Sequence, residues 1–339
     1  TGWKPLGQLA NVWQPNRLKG IIVSPEHGTP FLAATQLFDQ RPIPRKWLSL
    51  RKTRNSAQRF VKNGLILLTC SGNVGRATLA REIHEGTLIS HDILRIEPNA
   101  EKMWGWLYAY LRSPQARSIM QSAQYGQIIK HLEVNHLDAL PCPVVNPEWQ
   151  KHFNETVQKI LDLRNEAYKK LIEAENFYEE IVGSLPNFNN GESGFSVKAS
   201  QLFGARRRFD ALPHNPEVEQ IIQHLTENGK GFTRLTDAEA EVWLPNRFKR
   251  IPANEGVELI GSSALFEINP DEGRLIADID YKDPNNGRVK EGWLLISRSG
   301  QIYGLIGSVA FATSFHEGKI VTDDIIRLAL PHEIGRAHV

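Results

Sequence analysis

The chain has 339 residues, 41% of them hydrophobic, with 40 Lys/Arg against 38 Asp/Glu and a formal charge of +2. That length suits two ordinary domains, and no apolar run reaches the roughly 20 residues of a membrane span. The two cysteines, Cys70 and Cys142, fit neither a zinc spacing nor a disulfide scaffold, which points to a reducing, cytoplasmic setting.

Residues 1–97 read as strand-rich. Gly64–Thr69 is an apolar run bounded by turn residues, and Ser71-Gly72-Asn73-Val74-Gly75 reads as a tight connection. Further short strands are expected over 76–82 and 87–96, around the turn at Glu85-Gly86. A helix is expected over 101–112, and Ser113-Pro114 supplies an N-cap and a first-turn proline for the next. Residues 126–146 read as irregular, with Leu132, Leu137 and Leu140 available for packing.

Asn146 can cap, Pro147 can open and Gly183 can close a single helix of about 35 residues, about 52 Å long. Phe153, Val157, Ile160, Arg164, Ala167, Leu171, Ala174, Tyr178 and Ile181 alternate spacings of four and three, a heptad seam interrupted once by Arg164. A lone helix cannot bury such a seam, so it needs a partner helix. Residues 184–197 read as a linker by composition. Asn215-Pro216 then opens a short helix with Val218, Ile221, Ile222 and Leu225 on one face, ending at Gly229.

The chain then repeats itself. Val12-Trp13-Gln14-Pro15-Asn16-Arg17-Leu18-Lys19 returns as Val242-Trp243-Leu244-Pro245-Asn246-Arg247-Phe248-Lys249, with six of eight residues identical. Leu65–Gly72 is matched by Trp293–Gly300, which aligns the turn Ser71–Arg76 with Ser299–Gly304. Gly86–Arg95 is matched by Gly318–Arg327. The reading is an α+β protein, with two similar strand-rich domains separated by a long coiled-coil-type helix. Its parts are a first domain over 1–145, the helix over 146–183, a linker over 184–197 and a second domain over 198–332. Residues 333–339 look like a non-native tail and are set aside, and the natural protein is expected to be longer at both ends. Duplicate modules around a long insert suggest a device that handles two similar objects at a fixed separation.

Enzyme patterns are weak. Ser71–Arg76 lacks the lysine and spacing of a phosphate loop. Pro141-Cys142 resembles the nucleophile dipeptide of cytosine methyltransferases, but no glycine-rich S-adenosylmethionine loop accompanies it. Asn146-Pro147-Glu148-Trp149 departs from an amino-methyltransferase tetrapeptide at its third place, and capping explains it. The eleven histidines form no metal-binding pair, so neither metal nor cofactor is expected on this chain. Pro270-Asp271 with Asp280-Tyr281-Lys282 matches a loose nuclease signature, in which two carboxylates hold Mg²⁺ and the lysine orients water. That stretch is dense in acids, where a solvated loop is the default.

Nucleic-acid binding has broader support. From Gln40 to Ala80 there is no Asp or Glu, while the window holds Arg41, Arg45, Lys46, Arg51, Lys52, Arg54, Arg59, Lys62 and Arg76. Such a surface can meet phosphates, and arginine forks can read guanine edges. Arg17 and Lys19, repeated as Arg247 and Lys249 beside Arg250, suit a common backbone contact. Residues 1–97 carry 14 Lys/Arg and 6 Asp/Glu, whereas 230–332 hold more acids than bases. In the second copy the candidate DNA contacts are therefore Arg247, Lys249, Arg250, Arg288, Lys290 and Arg298, which must be concentrated on one face.

Taken in order, these features resemble the specificity subunit of a type I restriction–modification system. They are the two strand–turn–strand repeats, Trp106–Pro114, Gly126–Leu132, Leu140-Pro141-Cys142-Pro143 before the long helix, and Phe195–Ala199 with Arg208-Phe209-Asp210-Ala211 before the second copy. The resemblance implies two target-recognition domains that each read half of a split DNA sequence, with long helices as a ruler. It implies no catalysis by this subunit. Modification (methyltransferase) subunits and a restriction motor–nuclease subunit would be the partners, carrying S-adenosylmethionine, ATP and Mg²⁺. The acidic second copy is the departure from that pattern.

Overall fold

The computed structural model describes residues 2–17, 20–52, 56–123, 131–185, 194–203, 209–229, 231, 233–271, 273–278, 287–300 and 306–331. The expected tail at 333–339 lies outside them. The first copy runs β1 (Gly2–Pro5), β2 (Ala10–Trp13), β3 (Ile22–Val23), β4 (Thr29–Leu32), β5 (Lys46–Leu48), β6 (Ile66–Thr69), β7 (Ala77–Leu79), β8 (Leu88–Ile89) and β9 (Ile93–Pro98). Then come α1 (Trp104–Leu111), α2 (Pro114–Ala123), α3 (Val134–Asp138), β10 (Pro141–Val144) and α4 (Pro147–Val182). Two helices, α5 (Ala199–Leu202) and α6 (Pro216–Asn228), precede the second copy. That copy comprises β11 (Glu241–Trp243), β12 (Pro252–Ile260), β13 (Arg274–Ile276), β14 (Leu294–Ser297), β15 (Val309–Phe311), β16 (Ile320–Val321) and β17 (Ile325–Ala329). The chain divides into two compact units, Thr1–Tyr168 with Val242–Leu328, and Lys169–Glu241 with Ala329–Val339.

The duplication is a duplication of topology. One four-stranded sheet has the order β2-β9-β6-β7, and its counterpart is β11-β17-β14-β15. Each copy adds a smaller sheet, β3-β5-β4-β8 in the first and β13-β12-β16 in the second, and each contains one parallel pair, β4 with β8 and β12 with β16. Register agrees as well: Ile66 faces Ile96 and Thr69 faces Ile93, as Leu294 faces Leu328 and Ser297 faces Ile325. The turn after β6 corrects the sequence alignment. Gly75 donates to Thr69 O at 2.9 Å with φ 83°, and Gly307 donates to Ser297 O at 2.8 Å with φ 80°. Gly307, not Tyr303, is thus the counterpart of Gly75, because the second connection is longer.

The apolar run of β6 is buried on both faces, as an unbroken Ile66-Leu67-Leu68 requires. Ile66 and Leu68 join Leu79, Leu94, Leu107, Leu111, Val157 and Leu161 beneath the helices. Leu67 joins Leu32, Leu37, Val61 and Ile89 on the other side. In the second copy the described residues cover one face of the larger sheet: Leu295 is buried, while Val309 and Phe311 are 53% and 60% exposed where Ala77 and Leu79 are buried. The stretch expected to be irregular holds a short helix, α3, and a strand, β10, because Gly2–Pro5 offers an edge against which Pro141–Val144 pairs antiparallel. Leu132, Leu137 and Leu140 are all buried there.

α4 starts and stops where its end residues dictate. Asn146 Oδ1 accepts from Trp149 N at 2.9 Å, and Gly183 takes the left-handed φ of 77° while donating to Glu179 O. Its first half is fixed to the first copy by polar contacts. Asn154 accepts from Gly105 N (2.7 Å) and donates to Glu101 O (3.0 Å), which caps α1. Asn165 accepts from Glu82 N at 3.1 Å and donates to Asn63 Oδ1 at 3.2 Å. In the second unit, Asn215 caps α6 by accepting from Glu217 N, and His224 Nε2 lies 3.3 Å from Gly183 O.

Candidate nucleic-acid interface

Each copy is locked by a buried arginine. Arg95, fully buried, donates to the carbonyls of Ser90 (3.0 Å), Ile89 (3.0 Å) and Ile93. Arg327, also fully buried, donates to Thr322 (3.2 Å), Val321 (2.9 Å) and Ile325. Burial pushes both guanidinium groups down to about 10. The clamp fixes a loop ending in Asp92 or Asp324, whose carbonyl accepts from Cys70 N or Arg298 N and so holds the β6 or β14 turn. A histidine recurs too. His84 Nδ1 accepts from Arg81 N at 3.0 Å, and His316 Nδ1 accepts from Thr313 N at 3.1 Å. The sequence carries that signal as His84-Glu85-Gly86 and His316-Glu317-Gly318.

The cations of the first copy fall into three groups. Arg17, Arg45, Lys46 and Arg51 are exposed on or beside the smaller sheet, with Ile21, Ile22, Ile43 and Leu50 exposed near them. Trp47 on β5 is half-buried, facing Val23 and Pro30 in register. Lys19, Arg54 and the side chain of Lys52 lie outside the described residues. Arg59 is a correction: it is buried and donates to Asn16 O, and desolvation lowers its pKa. Its place in the acid-free window reflects a structural bond from the turn before β6 to the loop after β2, not a free cation. Arg76 is largely covered, its guanidinium 4.0 Å from the centre of the Phe38 ring.

In the second copy Arg247, Arg250 and Arg298 do gather at one place, around Asp323 and Asp324. Arg250 bonds Asp323, Arg247 lies 3.8 Å from it, and Arg298 lies 3.9 Å from Asp324. Arg288 sits apart, bonded to both oxygens of Asp278 at 2.7 Å and to Gly318 O. Lys249 and Lys290 are exposed. Acids of the same copy therefore face most of its candidate cations, as its charge balance requires.

The two copies touch directly, which modules held apart by a rod were not expected to do. Equivalent segments meet: Gln40 N donates to Phe266 O at 2.8 Å and Ile268 N to Phe38 O at 2.7 Å, with Asp39 opposite Glu267. Charge explains the contact. Arg76 forks onto Glu267 at 2.6 and 3.3 Å, and Arg117 forks onto Asp271 at 3.0 and 3.1 Å. Burial raises the Asp39 carboxyl to about 7, and the Glu267 charge adds to the rise against Arg45 and Arg81. The acidity of the second copy thus has a counterpart in the basic first one. Asn73 and Arg117, which belong to this cluster, carry no signal in the sequence pattern.

Only part of the nuclease signature lies among the described residues. Asp271 is engaged by Arg76 and Arg117, and Asp280 and Lys282 lie outside the described residues. Among the described residues no group of acids, histidines and cysteines is placed to hold a metal ion. Cys142 is buried and burial pushes its thiol up to about 12, which suits packing and not nucleophilic attack. Among the described residues no helix is long and apolar enough to cross a membrane.

The predicted seam of α4 divides at its middle. Val157 is buried, Phe153 and Ile160 are half-buried, and Arg164 donates to Tyr108 OH at 3.3 Å. Phe153 packs its ring 5.0 Å from Trp106. The buried stripe runs through Gln150, Val157, Leu161 and Asn165, so Leu161 and Asn165 complete a face that the seam only partly described. Beyond it, Ala167, Leu171, Ala174, Tyr178 and Ile181 are exposed, with Tyr178 and Ile181 at 55% and 59%.

No family model and no curated protein matches the chain. Among solved structures it is similar to the type I restriction–modification system S subunit from M. genitalium, at 12% identity and a TM-score of 0.36 over 97% of this chain and 72% of that one. It is also similar to the HsdS subunit from Thermoanaerobacter tengcongensis, at 13% identity and a TM-score of 0.30 over 97% and 75%. A third similar chain comes from work on complex assembly and conformational transition of the type I R-M system, at 11% identity and a TM-score of 0.31 over 98% and 76%.

Proposed function

We propose that this chain is a non-catalytic, sequence-specific DNA-recognition subunit of a type I restriction–modification complex. Each copy reads one half of a bipartite duplex site. α4 docks methyltransferase subunits, and these partners, with a motor–nuclease subunit, carry S-adenosylmethionine, ATP and Mg²⁺. One observation carries the reading: the framework of the two copies is the same hydrogen bond by hydrogen bond, while the side chains it presents differ. At equivalent positions, half-buried His91, largely covered Arg76 and buried Cys70 stand where the second copy has Asp323, Ser308 and exposed Arg298. One scaffold presenting two sets of side chains is what reading two different half-sites requires.

The direct test is duplex binding with charge reversal on the exposed cations. Lys46→Glu with Arg51→Glu weakens binding and lowers the salt slope by about one for each phosphate no longer neutralised. Unchanged affinity and slope would reject a role for these cations at the duplex. The docking role is read separately. Leu171→Asp leaves the first copy folded but abolishes co-purification with a methyltransferase subunit, and intact co-purification would refute the role of the helix.

A further inference from the structure

The cluster at the tip of the β6–β7 turn is built for an anion. Asp271 carries one carboxylate, yet Arg117 gives it two bonds, Arg76 Nε lies 3.2 Å away and Asn73 Nδ2 lies 3.4 Å away. Glu267 adds a second carboxylate on the far side of Arg76. The donors are held in place without the acids. Phe38 stacks on Arg76, and Arg117 Nη2 also donates to Asn73 Oδ1 at 2.9 Å. The backbone that carries Asn73 turns through Gly72 and Gly75, both at positive φ, and Gly75 packs near Met120 and Arg117 of α2. All the donors therefore belong to the first copy and both occupants belong to the second.

We propose that Asn73, Arg76 and Arg117 form a phosphate-binding site of the first copy, and that Glu267 and Asp271 fill it as carboxylate stand-ins when no phosphate is present. A fork of arginine donors matches phosphate as well as it matches carboxylate. The site is open enough for exchange, since the Asp271 side chain is 41% exposed and that of Arg117 27%. The partly exposed Arg117–Asp271 pair contributes little, so a more highly charged oxyanion can displace Asp271 first. Partial burial pulls the Asp271 carboxyl up, but hydrogen bonding from Arg117 and the charges of Arg76 and Arg117 outweigh it and hold the group ionised. In the proposed DNA reader the phosphate would come from the duplex backbone. The inference rests on that reading for the source of the phosphate, not for the site.

The test uses the full chain and two probes, inorganic pyrophosphate by titration calorimetry and a fluorescent duplex of random sequence by anisotropy. Glu267→Gln with Asp271→Asn removes both carboxylate charges from the site, and pyrophosphate then binds about tenfold tighter than to the parent. Adding Arg117→Gln removes that gain. Should the double variant fail to melt cooperatively, Asp271→Asn alone is read the same way. Pyrophosphate binding no tighter than to the parent, or a gain that survives Arg117→Gln, overturns the site. A duplex affinity that rises with the pyrophosphate affinity supports phosphate from DNA. A variant that gains pyrophosphate but binds no duplex keeps the site and sinks the DNA reading, whereas duplex binding without the pyrophosphate gain does the reverse.

Discussion

Replacing Arg95 by methionine removes a buried guanidinium that satisfies three main-chain carbonyls, those of Ser90, Ile89 and Ile93. Leaving a buried acceptor unpaired costs about 1–3 kcal/mol, which sets an upper range of about 3–9 kcal/mol for the three. Local relaxation and the apolar burial of methionine bring the expected loss to about 3–5 kcal/mol. Arg95 faces Trp13 in register, so tryptophan fluorescence during urea unfolding reports the first copy. With a slope of about 2–3 kcal/mol/M, the midpoint falls by roughly 1–2 M. Lysine does not rescue it, because an ammonium cannot reach three separated carbonyls with one fixed fork. Arg327→Met produces the same loss in the second copy, reported by Trp243 and Trp293, whose rings lie 4.7 Å apart. A midpoint that does not move, or twin substitutions of very different effect, would show that the shared clamp is not what holds the two frameworks.

Three further outcomes are expected. Burial and the neighbouring Arg81 charge push His84 down to about 3, so below pH about 6.5 the unfolded chain takes a proton that the folded one refuses. Its contribution is complete above that pH and falls by about 1.4 kcal/mol per unit below it; melting between pH 7.5 and 5 reads this, and His84→Gln flattens the acid side. Asp39 has the opposite sign. Its raised pKa of about 7 means that stability is lost as pH climbs from about 4 to 7, so Asp39→Asn is stabilising at pH 8 and neutral at pH 4, and equal gains at both would contradict it. A Cβ on Gly105 would lie 2.5 Å from the Phe153 carbonyl, so Gly105→Ala forces α1 off α4 at a cost of about 1–3 kcal/mol, and an unchanged melting temperature would refute the close crossing.

What the sequence reveals and what it hides differ in range. α4 was legible because its signals are local: Asn146 and Pro147 at one end, Gly183 at the other, a heptad between. β6 was legible as an apolar run, and the duplication as repeated words. Arg59 could not be told from a surface cation, because only the fold brings Asn16 O to it. Asn73, Arg117 and Asp271 meet across 154 residues and more, where no spacing rule reaches. β10 was missed because its partner is β1, at the other end of the first copy. The counterpart of Gly75 was misassigned because the two turns differ in length while the strands they join do not. The seam of α4 named Phe153, Val157 and Ile160 but not Leu161 or Asn165, since the helix meets a module along its first half.

The central claim is that two copies of one scaffold read two halves of one duplex. Selection of bound duplexes from a random-sequence pool by the full chain tests it most directly. The account predicts two short enriched blocks separated by an unread gap of constant length. Lys46→Glu with Arg51→Glu then erases one block and Arg298→Glu erases the other. A single contiguous block, the loss of both blocks with either set of substitutions, or no enrichment at all would contradict it.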